Sequence, residues 1–207
     1  MCLSDLASLL APPLCWSCGA SVRGSDPLCR DCRATLRWLT PAPACLAGVS
    51  GWAPLAYEGA ARELVQALKY RGAERLADAM AAAIAANAPA ELLARTPALV
   101  PVPLHPARLR RRGFNQAERV AAALGRRTGL AVADCLERAP TGPQVGRSRG
   151  ERVAAGGVLC MAAVPRVALL VDDVVTTGGT LAACAAALRA AGCGRVAALA
   201  YARTLAR

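Results

Sequence analysis

Residues Val167–Thr180, with the sequence VALLVDDVVTTGGT, decide the fold of this chain. Four consecutive apolar residues, Ala168–Val171, lead directly into the carboxylates of Asp172 and Asp173. An apolar run without alternation is typical of a parallel strand that is covered on both faces. Ligands of open α/β sheets bind beyond the carboxyl ends of such strands. The stretch therefore predicts a buried parallel strand with a ligand site at its end.

The turn after the acidic pair has the chemistry of a phosphate site. It consists of Thr176, Thr177, Gly178, Gly179 and Thr180. Its glycines allow close approach to the backbone, its hydroxyls donate hydrogen bonds, and the N–H groups that open the next helix attract anions. Sugar hydroxyls or a hydrated Mg²⁺ ion would balance the two carboxylates in front of the turn. We therefore expect a phosphorylated sugar as the ligand, whereas an ordinary strand, turn and helix would leave the TTGGT cluster unexplained.

A second anion site is predicted around residues 110–116. The patterns predict a strand over Leu99–Leu104, a loop over residues 105–116 and a helix over residues 117–128. A glycine flanked by arginines at a strand-to-helix turn suits phosphate oxygens, because guanidinium groups bind them in pairs. One turn would then hold a 5′-phosphate and the other a pyrophosphate. His105, the only histidine, is predicted to be structural rather than a general base, since no neighbour in the sequence orients it.

Four of the ten cysteines form two CxxC pairs near the N-terminus. Cys15 and Cys18 make the first pair, and Cys29 and Cys32 make the second. Two such knuckles are the ligand set of a tetrahedral zinc site, because each presents two thiolates from one tight turn. An iron centre and redox dithiols are the alternatives. Four thiolates leave no coordination position open, so the predicted zinc is structural and takes no part in catalysis.

Length and composition predict a small unit and a larger one in the same chain. The 207 residues allow a zinc module at residues 1–45 and a sizeable α/β domain at residues 46–207. The absence of a basic leader, and of any apolar run near the roughly 18 residues of a spanning helix, favours a reducing, cytoplasmic location without a membrane span. The net charge of +11 favours a polyanionic partner such as nucleic acid, a nucleotide or a diphosphate. The basic residues are spread along the chain, so charge alone does not establish DNA binding.

The remaining patterns alternate between helices and strands. Helices are predicted before Gly72 and over residues 74–94 and 179–191, and strands over residues 130–139 and 195–201. Residues 140–158 lack a hydrophobic period and are expected to form a long mobile lid. This order predicts a doubly wound parallel sheet with helices on both faces. Lys69 and Arg71, at the end of the first of these helices, fit two interpretations: contact with an anionic ligand, or a solvated helix end.

Several motifs in one order carry a resemblance to a known family. They are VPVPL at residues 100–104, RRRGFNQA at 110–117, TGPQ at 141–144 and VDDVVTTGGT at 171–180. Together with the cysteine pairs, LKYRG at residues 68–72 and the closing YARTL, they make the chain similar to the ComF/GntX family over nearly its whole length. Members of that family are phosphoribosyltransferase-like proteins associated with competence and DNA uptake. The resemblance implies a type I phosphoribosyltransferase-like fold and phosphoribosyl pyrophosphate (PRPP) as the ligand.

The same resemblance implies a role for each motif. Asp172 and Asp173 would contact the ribose hydroxyls of PRPP and the shell of a Mg²⁺ ion, and residues 176–180 would hold the 5′-phosphate. The implied pyrophosphate loop comprises Arg112, Gly113, Phe114 and Asn115. Arg112 would also help to neutralise the leaving group during catalysis. The implied flexible loop, residues 140–158, includes Gln144, Ser148 and Arg152.

Two functions remain open on these residues. In the first, the protein transfers phosphoribosyl from PRPP to an unassigned acceptor and releases Mg-pyrophosphate. In the second, it is a non-catalytic module that binds PRPP, a nucleotide or single-stranded DNA and acts with DNA-uptake proteins. The ligand motif favours PRPP binding in either case.

Overall fold

Strands and helices intermingle throughout the part of the chain that the computed structural model describes, which is residues 13–22, 24–46, 48–94, 97–138 and 157–205. The strands are β1 (Ala44–Leu46), β2 (Val49–Trp52), β3 (Leu55–Ala56), β4 (Ala98–Pro101), β5 (Leu136–Arg138), β6 (Val158–Cys160), β7 (Val167–Val175) and β8 (Arg195–Arg203). The helices are α1 (Arg30–Ala34), α2 (Gly59–Tyr70), α3 (Leu76–Asn87), α4 (Ala90–Leu93), α5 (Pro106–Arg112), α6 (Gln116–Thr128) and α7 (Gly179–Ala190).

A six-stranded sheet forms the centre of the fold. Its order is β1-β2-β8-β7-β4, and β3 pairs with β8 beyond the end of β2. All pairs in it are parallel except β1 with β2, which are antiparallel neighbours at one edge. The protein is therefore mixed α/β with a mostly parallel central sheet, as predicted. The antiparallel pair β5–β6 lies outside this sheet.

The strand β7 lies between β8 and β4 in this sheet and is covered on both faces. Leu169 and Val171 point into a core shared with α2, α3 and α6. Ala168 and Leu170 point into a second core, which α7 and the β5–β6 pair cover. The alternation of side chains along a strand thus fills two cores from one apolar run. This arrangement confirms helices on both faces of the sheet.

Residues 105–112 are not the loop that the sequence pattern predicted. The ring nitrogen Nδ1 of His105 accepts a hydrogen bond from the Ala107 N–H at 3.2 Å and caps α5, with Pro106 as the first helical residue. Proline is tolerated there because the first helical N–H has no partner within the helix. Gly113 ends the helix in a left-handed conformation, with φ at 80°. The arginine-flanked glycine consequently joins two helices, α5 and α6, rather than a strand and a helix.

Two further elements differ from the predicted ones for local reasons. The helix predicted over residues 74–94 breaks into α3 and α4, because Pro89 forces the preceding Ala88 into an extended conformation, with ψ at 137°. The strand predicted over residues 130–139 joins the edge of β4 only around Val132. Leu99 bonds outward to residues 131 and 133, but Pro101 has no N–H with which to continue that ladder. The chain therefore leaves the sheet before β5 begins.

Some predictions fall outside the described residues. They include the predicted lid up to residue 156, with Gln144, Ser148 and Arg152. Of the residues near the predicted lid, Arg138 of β5 and Val158 of β6 are described, and they pair with each other. The predicted domain boundary at residue 45 falls within β1 and stays a prediction. Among the described helices, none has the length and apolarity needed to cross a membrane.

Candidate functional site

The two CxxC pairs meet at one point near the N-terminus. The Sγ atoms of Cys15, Cys18, Cys29 and Cys32 all lie within 4.8 Å of one another. The first pair sits in a tight turn that the Cys15 N–H and carbonyl close against Ala20 and Gly19. Cys29 caps α1, where its Sγ accepts the Cys32 N–H at 3.5 Å. Four clustered thiols from two turns are the donor set that suits tetrahedral zinc.

The protonation of these thiols also favours a bound cation. Burial opposes ionisation of Cys15, but hydrogen bonds from surrounding backbone N–H groups, among them that of Cys18, outweigh it and lower the pKa of the Cys15 thiol to about 6. A hydrogen bond with Ser17 lowers the pKa of Cys32, yet the neighbouring thiols and burial together raise it to about 12. Cys15 and Cys32 therefore do not ionise together on their own. A divalent cation at their centre compensates their charge and removes that conflict.

Comparison with known families agrees with this geometry. A family model described as a double zinc ribbon domain matches residues 6–53. The N-terminal segment thus matches a zinc ribbon. No curated protein matches the chain. We refer below to this segment as the zinc ribbon; zinc binding by its four cysteines is the prediction that the comparison and the structure both support.

The second site is a cleft of about 660 Å³ beyond the carboxyl ends of β4 and β7. Of the residues predicted from the sequence, it brings together Arg112, Asn115, Asp172, Asp173, Thr176 and Thr180. Further polar residues of the lining are Lys69, His105, Arg108, Gln116 and Arg138. We call this space the cleft. Acidic groups lie at the end of β7, and basic or hydrogen-bond-donating groups arrive from four other segments.

Within the cleft, the two carboxylates have different surroundings. Asp173 is 5% exposed, and its Oδ2 lies 2.6 Å from Nζ of Lys69 at the end of α2. Asp172 accepts the Asp173 N–H at 2.8 Å. Burial and the adjacent charge of Asp173 raise the pKa of Asp172 well above its usual value, against a smaller opposing effect of Lys69. One carboxylate is thus neutralised by a lysine, and the other favours a proton or a cation.

The Thr- and Gly-rich turn keeps open space at the start of α7. Gly178 is in a left-handed conformation, with φ at 75°, which a residue with a Cβ adopts only with strain. A Cβ added to Gly179 would meet, among the described residues, only the Thr177 hydroxyl, at 3.9 Å. Nη2 of Arg138 donates to the Thr180 hydroxyl at 3.1 Å. The turn therefore combines free space, a helix N-terminus and a guanidinium group, which together suit a phosphate.

Residues 112–115, which form the turn between α5 and α6, lie at the opposite part of the cleft. Arg112 donates through Nη2 to the Tyr70 hydroxyl at 2.9 Å, and its guanidinium carbon lies 4.8 Å from the centre of the Tyr70 ring. Both contacts hold the guanidinium in one orientation. Phe114 packs against the core, and the Arg119 guanidinium lies 6.0 Å from its ring. Gly113 provides the left-handed end of α5.

Asn115 has a structural part in this turn. It is 3% exposed, and its Oδ1 accepts the Ala117 N–H at 3.1 Å, so that it caps α6. Its Nδ2 donates to the Val102 carbonyl and to Glu118. All these contacts fix the turn against the end of β4. The side chain is consequently occupied by the protein, although it lines the cleft.

Several cleft residues were not among the predicted site residues. Arg138 reaches the cleft and Tyr70 contacts Arg112 from segments far away in the sequence, whereas Gln116 directly follows Asn115 within the predicted anion site. The Lys69 side chain is 15% exposed and pairs with Asp173, so it is not a solvated helix end, and its contact with an anionic ligand stays a prediction. Arg71, two residues on, points away to Glu63 and to the Trp16 carbonyl of the zinc ribbon. The LKYR sequence was the available signal, because residues two apart on a helix, such as Lys69 and Arg71, point to different sides.

Proposed function

We propose that this chain is a ComF-like protein with a type I phosphoribosyltransferase-like domain that binds PRPP in the cleft. The observation that carries the proposal is the distribution of charge around one cavity. A carboxylate pair lies at the end of β7, between a glycine-rich helix N-terminus and a turn with an oriented arginine. PRPP has the complementary form: a ribose with two hydroxyls between a 5′-phosphate and a diphosphate.

Each part of the cleft is proposed to bind one part of PRPP. The turn at residues 176–180 and the Arg138 guanidinium would bind the 5′-phosphate, because both direct N–H or hydroxyl donors to that space. Asp172 and Asp173 would accept hydrogen bonds from the ribose hydroxyls. Arg112 would lie against the diphosphate, held by the Tyr70 ring and hydroxyl. The two anionic ends of PRPP would thereby lie against the two basic ends of the cleft, and its ribose diol would lie against the two carboxylates between them.

The donor set of the cleft also fits the Mg²⁺ ion that accompanies PRPP. Carboxylate oxygens are the preferred protein ligands of this cation, which usually keeps several waters and substrate oxygens in its shell. Asp172 suits that role, because burial and Asp173 make its unpaired negative charge unfavourable. Asp173 already has Lys69 as a counter-charge. Asp172 would therefore hold the hydrated cation, which supplies charge neutralisation to the diphosphate.

In the proposed reaction, a nucleophile bonds to C1 of the ribose while the bond from C1 to the diphosphate oxygen breaks. The electron pair of that bond leaves with the diphosphate. Arg112 neutralises the charge that develops on the departing oxygens, and the turns at both ends keep C1 in line with the acceptor. No covalent step on the protein is needed. The acceptor binds beyond C1 and is the part of the reaction that these residues do not specify.

Titration calorimetry with Mg-PRPP, combined with a pyrophosphate-release assay over a panel of nucleobases, tests the proposal. We expect binding by the wild-type protein and pyrophosphate release with at least one acceptor. Asp172→Asn should lower the affinity for Mg-PRPP at least tenfold, because it removes the proposed cation ligand. Asp78→Asn is the matched control, since Asp78 forms only an exposed pair with Arg126 on the surface. An absence of heat with Mg-PRPP would refute the ligand assignment.

A non-catalytic binding module is the second candidate, and one surface feature favours it. Arg108, Arg110 and Arg111 are exposed on α5, next to Arg112 at the cleft. Such a row of cations suits the backbone of single-stranded DNA. Binding of Mg-PRPP without pyrophosphate release on any acceptor would favour this module. Its affinity for single-stranded DNA should then fall steeply with salt, and a flat salt dependence would exclude the nucleic-acid role.

A further inference from the structure

One buried side chain of the cleft has a hydrogen-bonding group that the protein leaves unused. Gln116 is the first residue of α6, lines the cleft and is 2% exposed. Its amide nitrogen Nε2 is buried and has no hydrogen-bond partner within the described part of the chain. Burying an unpaired amide donor costs free energy, so such groups are uncommon and mark places where a partner is missing.

A second unused donor lies on the same turn. Nε of Arg112, the last residue of α5, is buried and is likewise without a hydrogen-bond partner among the residues described. Nη2 of the same guanidinium donates to the Tyr70 hydroxyl, and its central carbon lies 4.8 Å from the centre of the Tyr70 ring. We call Gln116 Nε2 and Arg112 Nε the open donors. They belong to the two helix ends that face each other across Gly113.

The neighbouring Asn115 shows that the unpaired amide nitrogen is particular to Gln116 and is not shared by every buried amide of this turn. It is as buried as Gln116 and has the same functional group, yet both ends of its amide are bound by the protein. The helix α6 is capped by Asn115, so Gln116 is not needed to begin the helix. Its polar end is therefore free for another function.

The chemistry of the open donors defines their missing partner. Both are N–H groups, so the complementary atom is an oxygen with available lone pairs. A neighbouring arginine and the positive end of the 13-residue helix α6 favour a negatively charged oxygen. Carbon or another N–H group at this position would leave both donors unpaired.

We propose that Gln116 is a ligand-binding residue that donates its amide N–H to an oxygen of the ligand's diphosphate group, beside Nε of Arg112. This inference rests on the proposed function, because it assigns the diphosphate to this end of the cleft. It adds a residue that senses the diphosphate through a neutral hydrogen bond, in contrast to the charged contact of Arg112. The 5′-phosphate binds at the other end and does not depend on Gln116.

Titration calorimetry with two probes separates the two ends of the cleft. The probes are Mg-pyrophosphate and ribose 5-phosphate, titrated into the full chain carrying Gln116→Met or Gln116→Glu. We expect Gln116→Met to weaken pyrophosphate binding about tenfold or more, the effect of one hydrogen bond to a charged group, and to leave ribose 5-phosphate binding unchanged. Gln116→Glu has the same shape but a negative charge, so it should weaken pyrophosphate binding further.

Thermal unfolding of the ligand-free variants provides a second readout. Here we expect stability to be kept or increased, whereas the affinity for pyrophosphate should fall. Methionine has a similar length and no donor, so Gln116→Met should unfold at the wild-type temperature or above it. A structural glutamine would instead lose stability in this variant. Gln66→Met is the matched control, because Gln66 lies on α2 and donates to Tyr57 at 3.2 Å. It should leave the affinities for both probes unchanged.

The outcomes distinguish this inference from the proposed function. If the wild-type protein binds both probes and Gln116→Met binds pyrophosphate equally well, Gln116 is not a ligand residue and the proposed function stands. A loss of affinity for both probes to the same extent, with a lower unfolding temperature, would also overturn the inference. If the wild-type protein binds neither probe nor Mg-PRPP, the proposed function fails and the inference fails with it.

Discussion

At the end of β7, two adjacent carboxylates are stabilised in different ways. Asp173 has a lysine within 2.6 Å, while Asp172 has no comparable cation among the ion pairs of the described residues. Taking a carboxylate out of water is costly unless a counter-charge or a proton compensates it. The raised pKa of Asp172 is the sign of that cost. The charge of Asp172 therefore lowers the stability of the ligand-free protein, and the proposed cation or sugar would offset this cost.

Replacing Asp172 by asparagine should stabilise the ligand-free protein. The amide keeps the hydrogen bond to the Asp173 N–H and removes the unfavourable charge, so we expect the free energy of unfolding to increase. Because the folded state raises this pKa above 3.8, wild-type stability falls relative to the variant as the pH rises from about 4. Urea unfolding in metal-free buffer at several pH values measures the difference. A gap that narrows with rising pH would contradict this account.

Replacing Lys69 by methionine should destabilise the protein. It leaves Asp173 buried without its counter-charge, and we expect the free energy of unfolding to fall by about 3 kcal/mol. Adding Asp173→Asn should restore most of that loss, because no unpaired charge then remains. Urea unfolding of the two single variants, the double variant and the wild type measures the coupling between the residues. Additive losses in the double variant would show that the two groups do not interact.

Among the elements, the junction of β7 and α7 depends on glycines for two different reasons. Gly178 needs a left-handed backbone to turn the chain from the strand into the helix. Gly179 has an ordinary helical conformation, and space for a Cβ is open beside it. The first glycine thus serves the fold, whereas the second keeps the proposed phosphate space empty.

The variant Gly179→Ala should separate binding from stability. Alanine fits the helix at this position without a close contact, so the free energy of unfolding should stay within about 0.5 kcal/mol of the wild type or increase. Its methyl group would occupy the proposed 5′-phosphate space, and we expect the affinity for ribose 5-phosphate to fall about tenfold. Calorimetry measures the affinity for ribose 5-phosphate, and urea unfolding measures the free energy of unfolding. Gly194→Ala, whose Cβ would lie 3.4 Å from the Arg166 carbonyl, is a control distant from the turn. Unchanged affinity in Gly179→Ala would show that the 5′-phosphate does not bind beside Gly179.

At the scale of the whole molecule, the end of α2 joins the zinc ribbon to the cleft. Lys69 reaches into the cleft and Tyr70 contacts Arg112, while Arg71 donates to the Trp16 carbonyl at 3.4 Å. Just beyond this helix, the Arg75 guanidinium lies 5.8 Å from the centre of the Trp16 ring. The three consecutive residues Lys69, Tyr70 and Arg71 therefore contact three parts of the protein: β7, α5 and the zinc ribbon. The zinc ribbon is packed against the segment that supplies the lysine of the site.

Removing zinc should change which cysteines react with iodoacetamide near pH 8. In the zinc-loaded protein, exposed Cys45 should react and the four zinc ligands should be protected, since a bound thiolate is not available for alkylation. A strong chelator should release about one zinc ion per chain and unfold the zinc ribbon, which removes the contacts that hold the pKa of Cys32 at about 12 and makes the four ligands reactive. Cys135 and Cys184 should stay unmodified in both states, because burial raises their pKa values to about 11 and about 12. Site-resolved mass spectrometry measures the pattern, and equal labelling of the four ligands in both states would contradict a metal site.

The features that sequence patterns predicted correctly are those formed by neighbouring residues. The apolar run before Asp172 was sufficient for a buried parallel strand, and the spacing of the cysteine pairs was sufficient for the clustered thiols. Errors arose where one residue changed the local geometry. His105 and Pro106 begin a helix in a stretch that was predicted as a loop, and Pro101 ends the pairing of a predicted strand.

The sequence by itself determined the mixed α/β class, the strand β7 with its acidic pair and Thr- and Gly-rich turn, and the four clustered cysteines of the zinc ribbon. Each of these follows from contiguous residues whose backbone preferences and side-chain chemistry act locally. Only the tertiary structure decided that Lys69 neutralises Asp173, that Tyr70 orients Arg112, and that Gln116 keeps an unused donor in the cleft. These relations join side chains from α2, α5, α6 and β7, which are separated by up to about a hundred residues. They depend on how the helices pack on the sheet, because packing sets the distances and excludes water, and no local pattern specifies either.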